Sequence, residues 1–447
     1  MAGTRTEMNS ELKKERDISV FWFRRDLRLE DNTGLVEALR SGFPVLPVFI
    51  FDTNILEELP ADDPRVTFIY RQLQKIHGKL AAAGSGLRVF RGDPVQVWKH
   101  MLSRYRIKEV YVNKDYEPYA MDRDRAVADL LEGHGIRFRP FKDQVIFEEG
   151  EVLKQDGSPY TVFTPYKRKW LETFRERPSL SVTGEAVTGF LPGSGSLPGL
   201  EAMGFQPSAI HVRPYDLSRI RDYPQVRDLP AEDATSHLSP HLRFGTISIR
   251  KVIAGLAPSD EVFLSELIWR EFFMQILFHF PKVVNQNFQP KYNGIHWKND
   301  PVDYRRWCEG RTGYPMVDAG MRQLNATGTM HNRVRMVTAS FLCKHLLVDW
   351  RMGEAYFASR LLDYELSSNN GNWQWAAGTG CDAAPYFRIF NPAEQQKRFD
   401  PELEYVRKWI PEYGTPDYPD PMIDHKFARE RTLSAYKKGI ESYLPGG

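Results

Sequence analysis

Cysteine is scarce: Cys308, Cys343 and Cys381 are the only three in a chain of 447 residues. None stands at CxxC spacing, which excludes a disulfide framework and a zinc site and suits a reducing compartment. No apolar run approaches the roughly 18 residues of a membrane span. The stretch Met1 to Arg16 is polar and charged, so it lacks the apolar core of a secretion signal. Together these absences point to a cytoplasmic protein. A net charge of only +2 excludes a uniformly basic chain, so any affinity for nucleic acid must be local. No GxGxxG follows the first apolar segment, which runs into Arg24-Arg25-Asp26-Leu27-Arg28; a dinucleotide-binding dehydrogenase is disfavoured. Internal repeats, coiled-coil heptads and long low-complexity segments are absent, and without a coiled coil a monomer is expected.

What the chain has in quantity is aromatic residues, 13% of the total, with 10 Trp, 20 Tyr and 27 Phe. Such rings serve a large core, or stacking surfaces for bases or a flavin. The length suggests two or three domains. From Ile18 to Phe141, five short β-branched and aromatic segments (Ile18 to Phe23, Val45 to Phe51, Leu87 to Phe90, Val110 to Asn113, Ile136 to Phe141) alternate with helical ones. Asn32 stands at an N-cap position, and Gly42, Gly84 and Gly135 stand where helices end. This alternation predicts an α/β domain over residues 16–141, a parallel Rossmann-like sheet that takes ligands at the carboxyl ends of its strands. Periodicity fades between Val182 and Ala209, where Gly, Pro and Ser dominate, and we expect an interdomain linker over 142–213. From residue 214 to 447 the pattern is helical, giving a larger all-α domain; Phe263 to Phe280 and Val334 to Asp349 are long helix candidates.

Several segments carry potential chemistry. Thr235-Ser236-His237-Leu238-Ser239 precedes a helical run and reads either as a phosphate seat or as an ordinary cap. Glu266, Trp269 and Arg270 share one helix face, where two hydrogen-bonding groups beside an indole could hold a base; a surface Glu266–Arg270 pair over a core Trp is the plainer reading. Met330-His331-Asn332-Arg333-Val334-Arg335-Met336 places polar donors and a Met before an apolar helix. Asp363-Tyr364-Glu365-Leu366-Ser367-Ser368-Asn369-Asn370-Gly371-Asn372-Trp373-Gln374-Trp375, with three Asn and two Trp around a Gly, is poor helix and poor strand material, and we expect a ligand-shaping loop there. The basic clusters Lys167-Arg168-Lys169, Arg333 with Arg335, Lys397-Arg398 and Lys437-Lys438 are either solvated surface or phosphate contacts.

Taken together these stretches resemble the photolyase/cryptochrome family, from Phe21-Trp22-Phe23-Arg24-Arg25-Asp26-Leu27-Arg28 to the end of the helical part. The most specific are Ala234 to Ser239, Glu266 to Phe272, Gly310 to Arg322, Met330 to Met336, Asn369 to Trp375 and Asp382 to Pro392. Within the family the closest likeness is to class I enzymes that use blue light to split cyclobutane pyrimidine dimers in DNA. A cryptochrome photoreceptor without repair activity is the alternative.

The resemblance implies FAD, held in a bent form by the helical domain. Tyr223, Thr235, Ser236, His237, Leu238 and Ser239 would hold its pyrophosphate and ribose. Phe263 stands where the family usually has Trp beside the cofactor. Arg270, Asp363, Tyr364 and Glu365 would line it, Arg335 would pair with Asp363, and Asn369 would face flavin N5. For ultraviolet-damaged DNA the resemblance implies Glu266 and Asn332 bonded to flipped thymines and Trp269 and Trp375 stacked on them. Met336 and Phe273 would pack alongside, and Arg227, Arg270 and Arg333 would lie on the DNA surface, with Arg388, Lys397 and Arg398 as further phosphate contacts. Trp373, Trp350 and Trp297 match the family's electron-transfer chain. No metal is implied. His331-Asn332 departs from the His-His pair of the (6-4) branch, and Thr329 replaces a Trp found in many relatives. Tyr116-Glu117-Pro118-Tyr119-Ala120 lacks the Asn-Glu pair of folate-binding relatives. A second, antenna chromophore is left as a deazaflavin, a flavin, a folate or none.

Overall fold

A computed structural model describes residues 16–176, 183–193 and 197–443. Its first strand, β1 (Asp17–Phe23), shows why the amino-terminal part folds as it does. Ile18, Val20 and Trp22 enter one apolar cluster; Phe21 and Phe23 enter another. A strand apolar on both faces must be covered on both, and helices on each side do so. Four further strands, β2 (Val45–Asp52), β3 (Arg88–Gly92), β4 (Arg106–Asn113) and β5 (Arg137–Phe141), complete an all-parallel sheet of order β3-β2-β1-β4-β5. Asn32 caps the helix Thr33–Leu39, its side chain accepting from the Leu35 backbone N at 3.1 Å. Gly42 follows that helix at φ 83°, the left-handed conformation that favours glycine.

Two compact units form, and they interleave along the chain. The first contains Met1–Glu148, Arg177–Val212 and Ser239–Leu256; the second contains Glu149–Glu176, Arg213–Leu238 and Ala257–Gly447. These bounds differ from a single linker over 142–213. Part of that stretch is the helix Phe163–Glu176, and Phe190, Leu200, Met203 and Phe205 are buried in the core of the first unit. Residues 177–182 and 194–196 of the expected linker lie outside the described residues. Ser239–Leu256 is tied into the first unit by ion pairs: Arg250 meets Asp31 at 3.0 Å and Asp143 at 2.8 Å, and Asp143 also meets Arg28 at 2.6 Å. At the crossover between β1 and β4, where a ligand is expected, the chain's own charges converge. Arg24 meets Asp124 at 2.5 Å, and Arg25 meets Asp115 and Glu117 at 3.1 and 3.0 Å.

The second unit is helical. Its longest helix, Glu261–His279, is buried nearly all round, which accounts for its wide apolar face. The helix expected over Val334 to Asp349 is shorter. An α-helical part, Asn332–Ser340, passes into a π-helical turn, Phe341–His345, and Leu347 has φ 52°. Side chains of the helix His425–Glu441 take the carbonyls freed there: Thr432 donates to the Lys344 carbonyl and Arg431 to that of His345.

Asp318 braces the Gly310 to Arg322 segment. Fully buried, it accepts from Thr312 N and Oγ1 at 2.7 Å, Gly313 N at 2.9 Å and Tyr418 Oη at 2.7 Å. Asp318→Ala leaves three buried donors and the half-buried Tyr418 hydroxyl without that acceptor. We expect a loss of about 3 kcal/mol or more in unfolding free energy. A denaturant titration showing a loss below about 1 kcal/mol would contradict the brace.

Candidate functional site

The helix Glu261–His279 presents Glu266, Trp269, Arg270 and Phe273 at spacings of three, four and seven, one continuous stripe. The plain surface pair between Glu266 and Arg270 is not what forms. Glu266 instead meets Arg227 at 2.8 Å, and Arg270 meets Glu365 at 3.5 Å. Trp269 is half-buried with its ring stacked on Phe163 at 3.6 Å, 8° between planes, and against Phe273 at 5.4 Å. Phe163, from the helix Phe163–Glu176, was not among the sequence candidates, because its segment reads as a charged linker.

Of the stretch Asp363 to Trp375, Asp363 to Glu365 lie outside any helix, but the rest is not a loop. It lies within the helix Leu366–Ala377. Tertiary contacts override the poor propensity of its residues. At Gly371 an added Cβ would lie 2.1 Å from the Phe273 ring, so only glycine permits this close approach. Asn370 donates to the Val283 carbonyl at 2.9 Å and Gln374 to the same carbonyl at 3.0 Å, while Gln374 accepts from Phe288 N at 2.8 Å. The polar side chains are thus absorbed by neighbouring backbone rather than competing with their own helix.

Asn369 donates to the carbonyl and carboxylate of Glu354 at 3.1 and 2.8 Å, which fixes its amide. Burial raises the pKa of Glu354 above the usual carboxylate range, against the opposing bonds from Asn369 and Tyr364. Glu354 carries no sequence signal, since it reads as an ordinary helix-surface carboxylate in Trp350–Arg360. Arg335 pairs with Asp363 at 2.9 Å and donates from Nε to the Met330 carbonyl at 2.8 Å. Tyr223 and the buried Phe263 meet edge to face at 5.2 Å. Thr235, Ser236 and His237 precede the helix Leu238–Arg243, with His237 in the left-handed region at φ 48°. Ser239 belongs to the first compact unit, the other positions of that segment to the second.

Asn332 is exposed, and Met336 is one helical turn beyond it on the same face, half-buried like Trp375. Trp350 and Trp373 are buried in one core cluster, and Trp297 packs against it half-buried. The Trp350 indole donates to Asn287 at 2.8 Å. Trp373 meets Phe357 at 4.9 Å and Trp307 at 6.1 Å.

His331 caps the helix Asn332–Ser340, its Nδ1 accepting from Arg333 N at 3.2 Å. Burial lowers its pKa from 6.5 to about 4; Asp228 opposes the shift, and Arg335 and Arg333 add to it. The folded pKa lies below the unfolded one, so the unfolded state takes up the proton first as pH falls. Stability is therefore lost between pH 6.5 and 4, by about 2 kcal/mol from this residue at pH 5. His331→Asn keeps a capping oxygen and should reduce the loss of unfolding free energy between pH 7 and pH 5 by about that amount. An unchanged pH slope would show that His331 is not held neutral.

Residues 263–417 match the FAD binding domain of DNA photolyase, and residues 19–183 match DNA photolyase. The chain is 37% identical to the deoxyribodipyrimidine photo-lyase of Halobacterium salinarum, over 94% of this chain and 99% of that protein. Among solved structures, a bacterial class III photolyase from Agrobacterium tumefaciens superposes with TM-score 0.85 at 34% identity, covering 96% of this chain and 98% of that one. An archaeal photolyase from Sulfolobus tokodaii with two FAD molecules superposes with TM-score 0.80 at 35% identity, covering 94% and 99%. The groups gathered in the helical unit suit FAD: hydroxyls at Thr235 and Ser236 for phosphate, a cation–carboxylate pair and an oriented amide for the polar edge of a flavin. With matches running over nearly its whole length, the chain belongs to the photolyase/cryptochrome family and carries that family's photolyase and FAD-binding domains.

Proposed function

We propose that this protein is a DNA repair enzyme, a deoxyribodipyrimidine photo-lyase that splits cyclobutane pyrimidine dimers in light, and that it belongs to the class I branch. The observation that carries the reading is the stripe of Glu266, Trp269 and Phe273 with Asn369 fixed by Glu354 in the same helical unit. When bound and reduced, FAD supplies under blue light the electron that opens the cyclobutane ring and receives it back. The protein supplies binding, orientation and a dry surface.

Phe163 and Phe273 fix the plane of the half-buried Trp269 ring, which would stack on a base. Glu266 and Asn332 offer hydrogen bonds to the extruded thymines, Met336 and Trp375 close around them, and extrusion is cheap because a dimer pairs poorly. Glu354 holds the Asn369 amide, which would face flavin N5, and Arg335 with Asp363 would supply a charge pair to the ring. Arg270 and Glu365 line the same cofactor; Tyr223, Phe263, Tyr364 and residues 235–238 complete its cradle. The electron route inward from the surface runs Trp297, Trp350, Trp373.

Arg227 and Arg333 are the principal phosphate contacts, so affinity should fall with salt. Asn332, in place of a second histidine, favours the dimer over the (6-4) product as substrate. The enzyme acts in the cytoplasm as a monomer. A flavin is the favoured antenna among the candidates, since the Sulfolobus tokodaii structure contains two FAD molecules.

The test uses two oligonucleotides, one with a thymine cyclobutane dimer and one with a (6-4) product, each illuminated with the reduced protein. Restoration of thymine from the dimer alone is expected. Repair of the (6-4) product would move the chain to another branch, and repair of neither would favour a photoreceptor.

A further inference from the structure

Both arginines assigned to DNA phosphate are held in the same way. Arg227 meets Glu266 at 2.8 Å and lies 5.1 Å over the Tyr223 ring. Arg333 donates from Nε and Nη2 to one carboxylate oxygen of Asp228, at 3.2 and 2.8 Å, and lies 4.4 Å over the Phe399 ring. Each guanidinium thus has a carboxylate on one edge and an aromatic face beneath it. Glu266 belongs to the base-contacting stripe, but Asp228 has no part in it. Asp228 is 38% exposed, and Arg333 18%. A carboxylate left this open to water has no need of a partner for its own solvation, so its position is explained by what it does to Arg333.

We infer that Asp228 is a specificity-determining residue: it holds Arg333 in a fixed pose for the distorted backbone of damaged DNA while cancelling its charge toward ordinary DNA. The inference rests on the proposed placement of Arg333 against DNA phosphate. Two effects of opposite sign follow from one carboxylate. Binding to undamaged duplex is set by the number of cations that replace counterions, with little demand on geometry. There, Asp228 subtracts one charge. Binding to a lesion places a phosphate at a position dictated by the deformed backbone. There a guanidinium already fixed on one edge and one face, with Nη1 left for the phosphate, loses less freedom on contact. Asp228 therefore lowers affinity for undamaged DNA and supports affinity for damaged DNA.

The experiment measures dissociation constants of the FAD-loaded protein for a dimer-containing duplex and the same duplex undamaged, across a salt series. Asp228→Asn and Asp228→Ser are compared with Arg333→Gln, using flavin absorbance as the check on folding. For the Asp228 variants, affinity for undamaged duplex should rise roughly threefold with a salt slope steeper by about one ion, while affinity for the dimer does not rise. The damaged-to-undamaged ratio then falls. An equal rise on both duplexes would make Asp228 a mere counter-charge, and an unchanged or increased ratio would equally overturn the inference. Arg333→Gln separates the two levels. If it weakens dimer binding while the Asp228 variants keep the ratio, the inference fails and the proposed interface stands. If it changes neither affinity, Arg333 does not face DNA and the interface itself fails.

Discussion

Replacing Trp373 with phenylalanine should abolish light-driven reduction of oxidised FAD, yet leave repair by chemically reduced protein intact. Trp373 is buried among Phe357, Trp307 and the helix Trp350–Arg360. At Gly353 of that helix an added Cβ would fall 2.2 Å from the Trp373 ring, so the indole is packed directly against backbone. Phenylalanine keeps most of this volume at modest cost in stability, but it removes the readily oxidised indole. Absorbance during blue illumination with an external reductant follows the flavin directly. Reduction at the wild-type rate would show that the route does not pass through Trp373. The same variant treated with dithionite should restore thymine at the wild-type yield, because dimer splitting does not draw on the Trp chain.

The second large effect concerns the stacking surface. Base–aromatic stacking contributes about 1–3 kcal/mol per base by alanine substitution, so Trp269→Ala with Trp375→Ala should weaken dimer-DNA binding by roughly 30-fold or more. Undamaged duplex, held by phosphate contacts, should change by less than about threefold. Trp269 also rests on Phe163 and Phe273, so the flavin content of the double variant must be checked before affinities are compared. Equal weakening on both duplexes would indicate general loss of the surface rather than loss of base stacking. No weakening on either would remove these tryptophans from the lesion pocket.

How far such features could be read from sequence depended on whether local pattern and tertiary demand agreed. In β1 they agree: every residue from Ile18 to Phe23 is buried, the apolar ones alternating between two cores, and the strand was plain from its composition. The stripe of Glu266, Trp269 and Arg270 was legible for the same reason, since helical spacing alone puts them together. Their ionic partners were not, because Arg227 and Glu365 come from distant parts of the chain and no local rule selects them over an i,i+4 partner. The helix Leu366–Ala377 was missed because Asn, Gly and Trp favour other conformations in isolation; bonds from Asn370 and Gln374 to the Val283 carbonyl decide the matter. In the helix Phe163–Glu176 the signal was present and masked. Phe163, Tyr166, Trp170 and Thr173 are buried at helical spacing, but Lys167-Arg168-Lys169 between them made the stretch read as solvated linker.

One measurement bears most directly on the account: dimer content of a thymine-dimer oligonucleotide incubated with the reduced, FAD-containing protein, followed in the dark and then under blue light. No change is expected in the dark, and catalytic restoration of intact thymine in the light, more than one dimer per protein molecule. Dimers that persist under illumination, with FAD bound and reduced, would contradict it and leave a flavin photoreceptor built on the same fold.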